Sequence, residues 1–140
     1  MDYVIGEFTY NIDAKGRIVM PNKFRSFLGD VFIVTRGLDG CLFVFPEKEW
    51  QQFESKLSGL PMTSKEARSF TRFFFAGACE CTPDKQGRVM LPANLRQFAR
   101  LDKTAVVVGL NNRIEIWNEA AWAENTAIDP EDVAEHMAAL

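Results

Sequence analysis

Histidine occurs once in 140 residues and cysteine three times, and none of them has the companions that would make it reactive. His136 stands alone near the C-terminus, and there is no Cys–His neighbourhood and no Gly-x-Ser-x-Gly elbow, so nucleophilic catalysis has no visible machinery. The Gly-x-Gly-x-x-Gly run and the phosphate loop are missing too, which removes the common nucleotide-binding signatures. Cys41, Cys79 and Cys81 are odd in number, which suits a reducing compartment better than a disulfide framework. Cys79 and Cys81, two apart, face one side of a strand and read as small buried hydrophobes; a metal would need further ligands at proper spacing. No metal, cofactor or small-molecule ligand is expected. No apolar run approaches the ~20 residues that span a bilayer. Met1-Asp2-Tyr3 has neither the basic stretch nor the apolar core of a signal peptide, so a cytoplasmic protein without a membrane partner is expected.

What the chain does have, it has twice. Asp13-Ala14-Lys15-Gly16-Arg17-Ile18-Val19-Met20-Pro21 returns 71 positions later as Asp84-Lys85-Gln86-Gly87-Arg88-Val89-Met90-Leu91-Pro92. In the same register Arg25 pairs with Arg96 and Phe27 with Phe98. After one inserted residue Gly37 pairs with Gly109, Leu38 with Leu110, Phe45 with Trp117 and Trp50 with Trp122. A co-linear match of this length marks an internal duplication. Each half of about 70 residues would bury too little surface to be comfortable alone, so one domain over residues 1–140 is expected. Its parts are repeat one (8–50), intervening helices (46–77), repeat two (79–122) and a C-terminal helix (129–140). Apolar residues at 47% and charged residues at 25% are ordinary for a globular protein.

Read in order, Tyr3–Ile12 is a strand rich in Tyr, Val, Ile and Phe. Asp13–Gly16 breaks it with turn chemistry, Gly16 being free to take positive φ. Arg17–Met20 resumes as a short strand, Pro21 opens a helix over Asn22–Leu28, and Gly29 ends it. Val31–Thr35 and Cys41–Phe45 flank Asp39-Gly40, a strong hairpin signal, and Asn111-Asn112 marks the matching tip in the second repeat, predicting the same hairpin twice. Trp50, Phe53 and Leu57 give one apolar face to a helix over Pro46–Leu57. Thr63-Ser64-Lys65-Glu66 has capping-box spacing and starts another helix at Ser64 that stops near Gly77. In that helix Phe73, Phe74 and Phe75 cannot share one core, because consecutive helical positions lie about 100° apart. Either the helix is buried on two sides or some Phe side meets another subunit, and the second is the expectation. Repeat two follows with a strand over Ala78–Thr82, the Pro83–Gly87 turn, Val89–Leu91, a helix over Ala93–Ala99, a hairpin over Ala105–Trp117 and a helix over Glu119–Glu124. Asp129-Pro130 then opens a final helix to Ala139. The fold class is α+β and β-rich: a small barrel assembled from two similar halves whose pairing removes open sheet edges.

A net charge of −3 argues against a nucleic-acid partner until the charges are located. Asp13–Arg36 holds five basic residues (Lys15, Arg17, Lys23, Arg25, Arg36) against two acids, a local +3; Asp84–Lys103 holds five (Lys85, Arg88, Arg96, Arg100, Lys103) against two, again +3. From Glu115 onward there are seven acids and no Lys or Arg, so the tail masks two basic repeats and should lie away from any phosphate surface. Each loop carries a Gly that allows close backbone approach, with Lys15 and Arg17, or Lys85, Gln86 and Arg88, around it. Arg can fork onto a guanine edge or a phosphate, Gln can read adenine, and Lys neutralises phosphate. Asp13 and Asp84 either form a paired-carboxylate site across a pseudo-twofold or each caps its own turn. Arg25 and Arg96 either pin those aspartates or touch a ligand.

The doubled Asp-x-x-Gly-Arg-x-x-x-Pro motif, each copy followed by a helix ending in x-Arg-x-Phe, resembles the MraZ family of bacterial transcriptional regulators, in the SpoVT–AbrB superfamily. The resemblance covers nearly the whole chain. It implies a swapped-hairpin β-barrel in which two repeats do what two chains do in single-motif relatives, and no enzymatic activity. It implies a ring-shaped homo-oligomer, an octamer, that binds double-stranded DNA at short direct repeats upstream of the division and cell-wall gene cluster and is associated with the nucleoid. Lys15, Arg17, Lys85, Gln86 and Arg88 fall where the family contacts DNA; Asp13, Gly16, Asp84, Gly87, Arg25 and Arg96 would support those loops.

Overall fold

A computed structural model describes residues 3–140; Met1 and Asp2, on which the N-terminal reading partly rests, lie outside it. Repeat one contributes β1 (Val4–Asn11), β2 (Arg17–Val19), α1 (Asn22–Leu28), β3 (Phe32–Arg36) and β4 (Leu42–Pro46). The connecting helices are α2 (Glu47–Ser58) and α3 (Lys65–Ala76). Repeat two supplies β5 (Cys79–Cys81), β6 (Arg88–Met90), α4 (Ala93–Phe98), β7 (Thr104–Asn111) and β8 (Ile114–Trp117), followed by α5 (Glu119–Thr126) and α6 (Pro130–Ala138).

The strands form a six-stranded sheet, β1-β7-β8-β4-β3-β5, and a two-stranded ribbon, β2-β6. Both orders read the same when the repeats are exchanged. The first strand of each repeat therefore pairs with the hairpin of the other: Tyr10 lies opposite Ala105, and Cys81 opposite Phe32. Ile18 faces Val89 in the ribbon and Phe43 faces Glu115 in the sheet, so equivalent positions meet themselves on one pseudo-twofold axis. Among the described residues β1 pairs only with β7 and β5 only with β3, which leaves an open sheet rather than a hydrogen-bonded ring of strands.

The two edges are unequal, since β1 has eight residues and β5 three. The hairpins differ as well. In repeat one Gly37 pairs with Cys41 across Leu38-Asp39-Gly40, with positive φ at Asp39 (63°) and Gly40 (84°). In repeat two Leu110 pairs with Arg113 across two residues, and Leu110 O accepts from Asn112 N–H around Asn111 at φ 72°, a γ-turn. The shorter loop puts Gly109, not Leu110, across from Ile114, so Gly109 occupies the place of Arg36 and not that of Gly37. The expected repetition of one hairpin is corrected by one residue.

Strand alternation sends side chains to two cores. Leu42, Val44, Ile114, Ile116, Phe32, Val34, Ala105 and Val107 face the ribbon, α1 and α4, where Ile18, Val89, Phe24 and Leu95 meet them. Phe43, Phe45, Val106, Val108 and Trp117 face Leu57, Phe74 and Ala121 of the helices. Both cores draw on both repeats, which gives three layers: ribbon with α1 and α4, sheet, then α2, α3 and α5.

Ser64 caps α3 by accepting from Ala67 N–H at 3.2 Å, and its hydroxyl donates to Glu66 in place of the reciprocal bond of a full capping box. Phe74 of that helix stacks edge-on to Phe53 at 5.0 Å, Phe73 packs on Phe98 at 5.7 Å, and Phe75 meets Trp50 at 5.9 Å. All three have partners within the chain, but only Phe74 is buried, and Phe75 keeps 36% of its surface exposed on the outer side of the helix. Phe70 remains exposed. α6 has a capping bond from Glu131 N–H to Asp129 and no buried residue.

Candidate nucleic-acid interface

The two Asp-x-x-Gly-Arg loops have one geometry. Asp13 accepts at Oδ1 from the backbone N–H of Lys15 and of Arg17, both at 2.9 Å, while Arg17 Nε donates to Oδ2 at 2.7 Å. Asp84 does the same: Gln86 and Arg88 N–H donate to Oδ1 at 2.9 Å, and Arg88 Nε to Oδ2 at 2.8 Å. Each aspartate also accepts at its backbone carbonyl from the loop glycine, Gly16 or Gly87, at 2.9 Å. The backbone N–H of Arg17, followed by the Arg17 side chain and the backbone N–H of Lys15, holds Asp13 below the usual aspartate range. Arg88 and Gln86 act likewise on Asp84. Of the two alternatives for these aspartates the turn cap is the one observed. With each carboxylate saturated by its own loop, neither is arranged to move protons for a shared substrate.

The loops are also tied to each other. Met20 N–H donates to Gly87 O at 2.9 Å and Leu91 N–H to Gly16 O at 3.0 Å, so each repeat bonds the glycine of the other. Arg25 and Arg96 cross over in the same way. Arg96 Nε donates to Leu91 O at 2.9 Å, and its guanidinium covers Gly16, where a Cβ would come within 2.5 Å of Cζ. Arg25 Nε donates to Met20 O at 3.1 Å, a second nitrogen bonds Asn22, and its guanidinium covers Gly87, where a Cβ would meet Cζ at 2.8 Å. Neither arginine pins an aspartate. They brace the opposite loop, and Gly16 (φ 82°) and Gly87 (φ 77°) are required both for backbone conformation and for room.

The exposed tips are where the repeats differ. Lys15 of the first loop matches Gln86 of the second, and Lys85 takes the place of Ala14, so each tip carries one lysine at a different position. Gln86 Oε1 accepts from Arg88 Nη2 at 3.3 Å. The ribbon then sets Arg17 beside Met90 and Val19 beside Arg88 on its outer face, with Ile18 and Val89 buried beneath. The exposed Val19 and Met90 were passed over in the sequence, although alternation around a buried Ile18 and Val89 would have put them beside the arginines.

The family model described as "MraZ protein, putative antitoxin-like" matches residues 4–73 and again 74–139. The chain belongs to the MraZ family. The boundary between the matches falls within the last turn of α3, shortly before the second repeat. A protein called "Transcriptional regulator MraZ" from Thermoanaerobacter pseudethanolicus is 50% identical over 137 residues, 96% of each chain. Relatives of the same description from Desulforamulus reducens and Desulfitobacterium hafniense are 58% identical over 118 and 120 residues, covering 84% and 86% of this chain and 83% and 84% of theirs. MraZ is a family of transcriptional regulators and not of enzymes. No helix of this MraZ chain, among the described residues, is long and apolar enough to cross a membrane.

Proposed function

We propose that this chain is a sequence-specific transcriptional regulator that binds double-stranded DNA through its paired loops. The observation that carries the reading is the pair of aspartate-pinned loops, hydrogen-bonded to each other and braced by Arg25 and Arg96, with five polar or basic side chains at their tips. Lys15, Arg17, Lys85, Gln86 and Arg88 meet the DNA; Asp13, Gly16, Asp84, Gly87, Arg25 and Arg96 hold the loops. A two-stranded ribbon fits the major groove, where Arg and Gln can read base edges and Lys neutralises phosphate. Because Asp13 engages only Nε, the terminal nitrogens of Arg17 can fork onto a base or phosphate, whereas Arg88 also donates from Nη2 to Gln86 and would release that bond to do the same.

The crosswise pairing of each first strand with the other hairpin supports a swapped-hairpin arrangement, with 1–140 acting as one domain. The family resemblance further supports recognition of short direct repeats upstream of the division and cell-wall gene cluster by a ring-shaped homo-oligomer, an octamer, in the cytoplasm at the nucleoid. Exposed Leu60, Met62 and Phe70 on the helical side, and Tyr3 and Ile5 on the β1 edge, are unlike patches suited to head-to-tail contact. Several linked loop pairs on one DNA gain about 10²–10⁴ in avidity without new contacts.

The test is competition between a duplex from upstream of the protein's own gene and a scrambled duplex, with the mass followed by sedimentation. Preference for the upstream duplex, by a species several times 15.9 kDa, is expected. Equal affinity for the two duplexes would refute the sequence-specific reading, and a monomer at micromolar concentration the ring.

A further inference from the structure

We infer that Val19 and Met90 are specificity residues that read the C5-methyl groups of thymine, an inference that rests on the DNA-binding reading above. In an antiparallel pair, residues directly opposite share a face. Arg17 lies opposite Met90 and Arg88 opposite Val19, so the four side chains form one outward surface while Ile18 and Val89 point into the core. If either arginine faces a groove, the apolar neighbours face it as well.

Val19 is 39% and Met90 49% exposed, above a core in which Ile18 and Val89 are 1% and 0% exposed. Both outer positions are open enough to take a polar residue, yet both repeats place an apolar one there. The letters differ, one β-branched and short, the other long and unbranched, while the position on the pseudo-twofold is shared. The surroundings point to DNA as the occupant rather than an apolar protein face. Each of the two sits beside an arginine, and the loop tips beyond carry Lys15 and Lys85. In the major groove the one apolar feature on a base edge is the thymine methyl. Arginine on guanine and an aliphatic side chain on a neighbouring thymine are complementary contacts for adjacent base pairs. The two diagonal corners of the ribbon can then reach different thymines.

Replacing single thymines by 2′-deoxyuridine removes only the methyl and leaves every hydrogen-bonding group in place. With the full-length protein and the upstream duplex, uridine at one or two positions should weaken binding about fourfold per methyl, the value of one buried carbon. The Val19→Ser and Met90→Gln variants should each lose sensitivity to uridine at one of those positions, while binding the uridine duplex like the parent and still melting cooperatively. Uridine that costs nothing at every thymine, or variants that keep the full penalty, would overturn the inference. So would variants that alter sedimentation without altering the methyl effect, which would assign these side chains to a contact between copies. Failure of the underlying reading is seen earlier and separately, as no preference for the upstream duplex before any uridine is introduced.

Discussion

The guanidinium of Arg96 lies against Gly16 of the opposite repeat, on ground that a methyl group would claim: a Cβ there would stand 2.5 Å from Cζ and 2.7 Å from Nε. Its counterpart Arg25 lies against Gly87. Since Gly16 and Gly87 also hold positive φ, each is constrained twice over, once by its own backbone and once by its neighbour.

Gly16→Ala and Gly87→Ala should therefore each destabilise the protein by about 1–3 kcal/mol, the usual cost of a side chain held in the left-handed region, with further loss from the displaced arginine. Adding Arg96→Ala to Gly16→Ala removes the collision and leaves the φ strain. The double variant should be more stable than the sum of the two single effects predicts. Urea unfolding of the four proteins measures this coupling, and simple additivity would remove the brace from the account.

Arg17→Ala and Arg88→Ala should cost about 1–3 kcal/mol per base contact and relax discrimination at the contacted base pair. Lys15→Ala and Lys85→Ala should weaken binding evenly across sequences and lower the salt slope by about one unit each. Arg17→Lys is informative because an ammonium can meet Asp13 or the DNA but cannot present a fork to both. Its specificity should fall nearly as far as that of the Ala variant. Affinities at several salt concentrations, with melting curves for each variant, separate these outcomes from simple misfolding.

Asp13 and Asp84 predict how the loops respond to acid. Both carboxyls are held low by donation from Arg17 or Arg88 and from the loop backbone. A depressed folded value means that the ionised form is favoured by folding. The stabilisation is fully present above the unfolded value of about 3.9 and is lost as pH falls through the lower folded value. The loops should thus stay ordered at pH 5 and loosen only below about pH 4. Amide spectra of Lys15, Arg17, Gln86 and Arg88 should shift together over that acid range. Asp13→Asn and Asp84→Asn should each abolish the shift in their own loop at once.

Deleting Asp129–Leu140 removes α6, which buries none of its residues and follows α5 on the side of the sheet away from the ribbon. Four carboxylates go with it, taking the formal net charge from −3 to +1. Specific affinity in a correctly assembled truncation should stay within a few-fold, while scrambled DNA binds somewhat tighter as long-range repulsion is relieved. A large selective loss for the specific duplex would place the acidic helix in the interface.

Local chemistry was largely readable in advance. Turn glycines, the helix start at Pro21, the Ser64 cap and the apolar face of Trp50, Phe53 and Leu57 each act within a few residues, where periodicity and φ preference decide. What escaped is non-local. Nothing in the spacing around Tyr10 says that it lies opposite Ala105 rather than within its own repeat. Arg25 and Arg96 were expected either to pin the nearby aspartates or to touch a ligand, yet Arg17 and Arg88 saturate the aspartates first, leaving the helix arginines to reach across the axis. The hairpin tips misled for a different reason: Asp39 and Asn111 share a positive φ, which hides a loop shorter by one residue. Glu115, read simply as the first acid of the tail, is buried and bonded to Trp117 and Arg113.

The fusion of two repeats into one polypeptide has a genetic consequence. In a symmetric pair of identical chains every codon change is expressed on both sides of the axis, so a substitution that improves one side imposes itself on the other. Here Lys15 and Gln86 answer to separate codons, as do Ala14 and Lys85, and Val19 and Met90. On the DNA-binding reading proposed above, one loop can drift while the other keeps its preference, and an asymmetric target can be followed by single mutations.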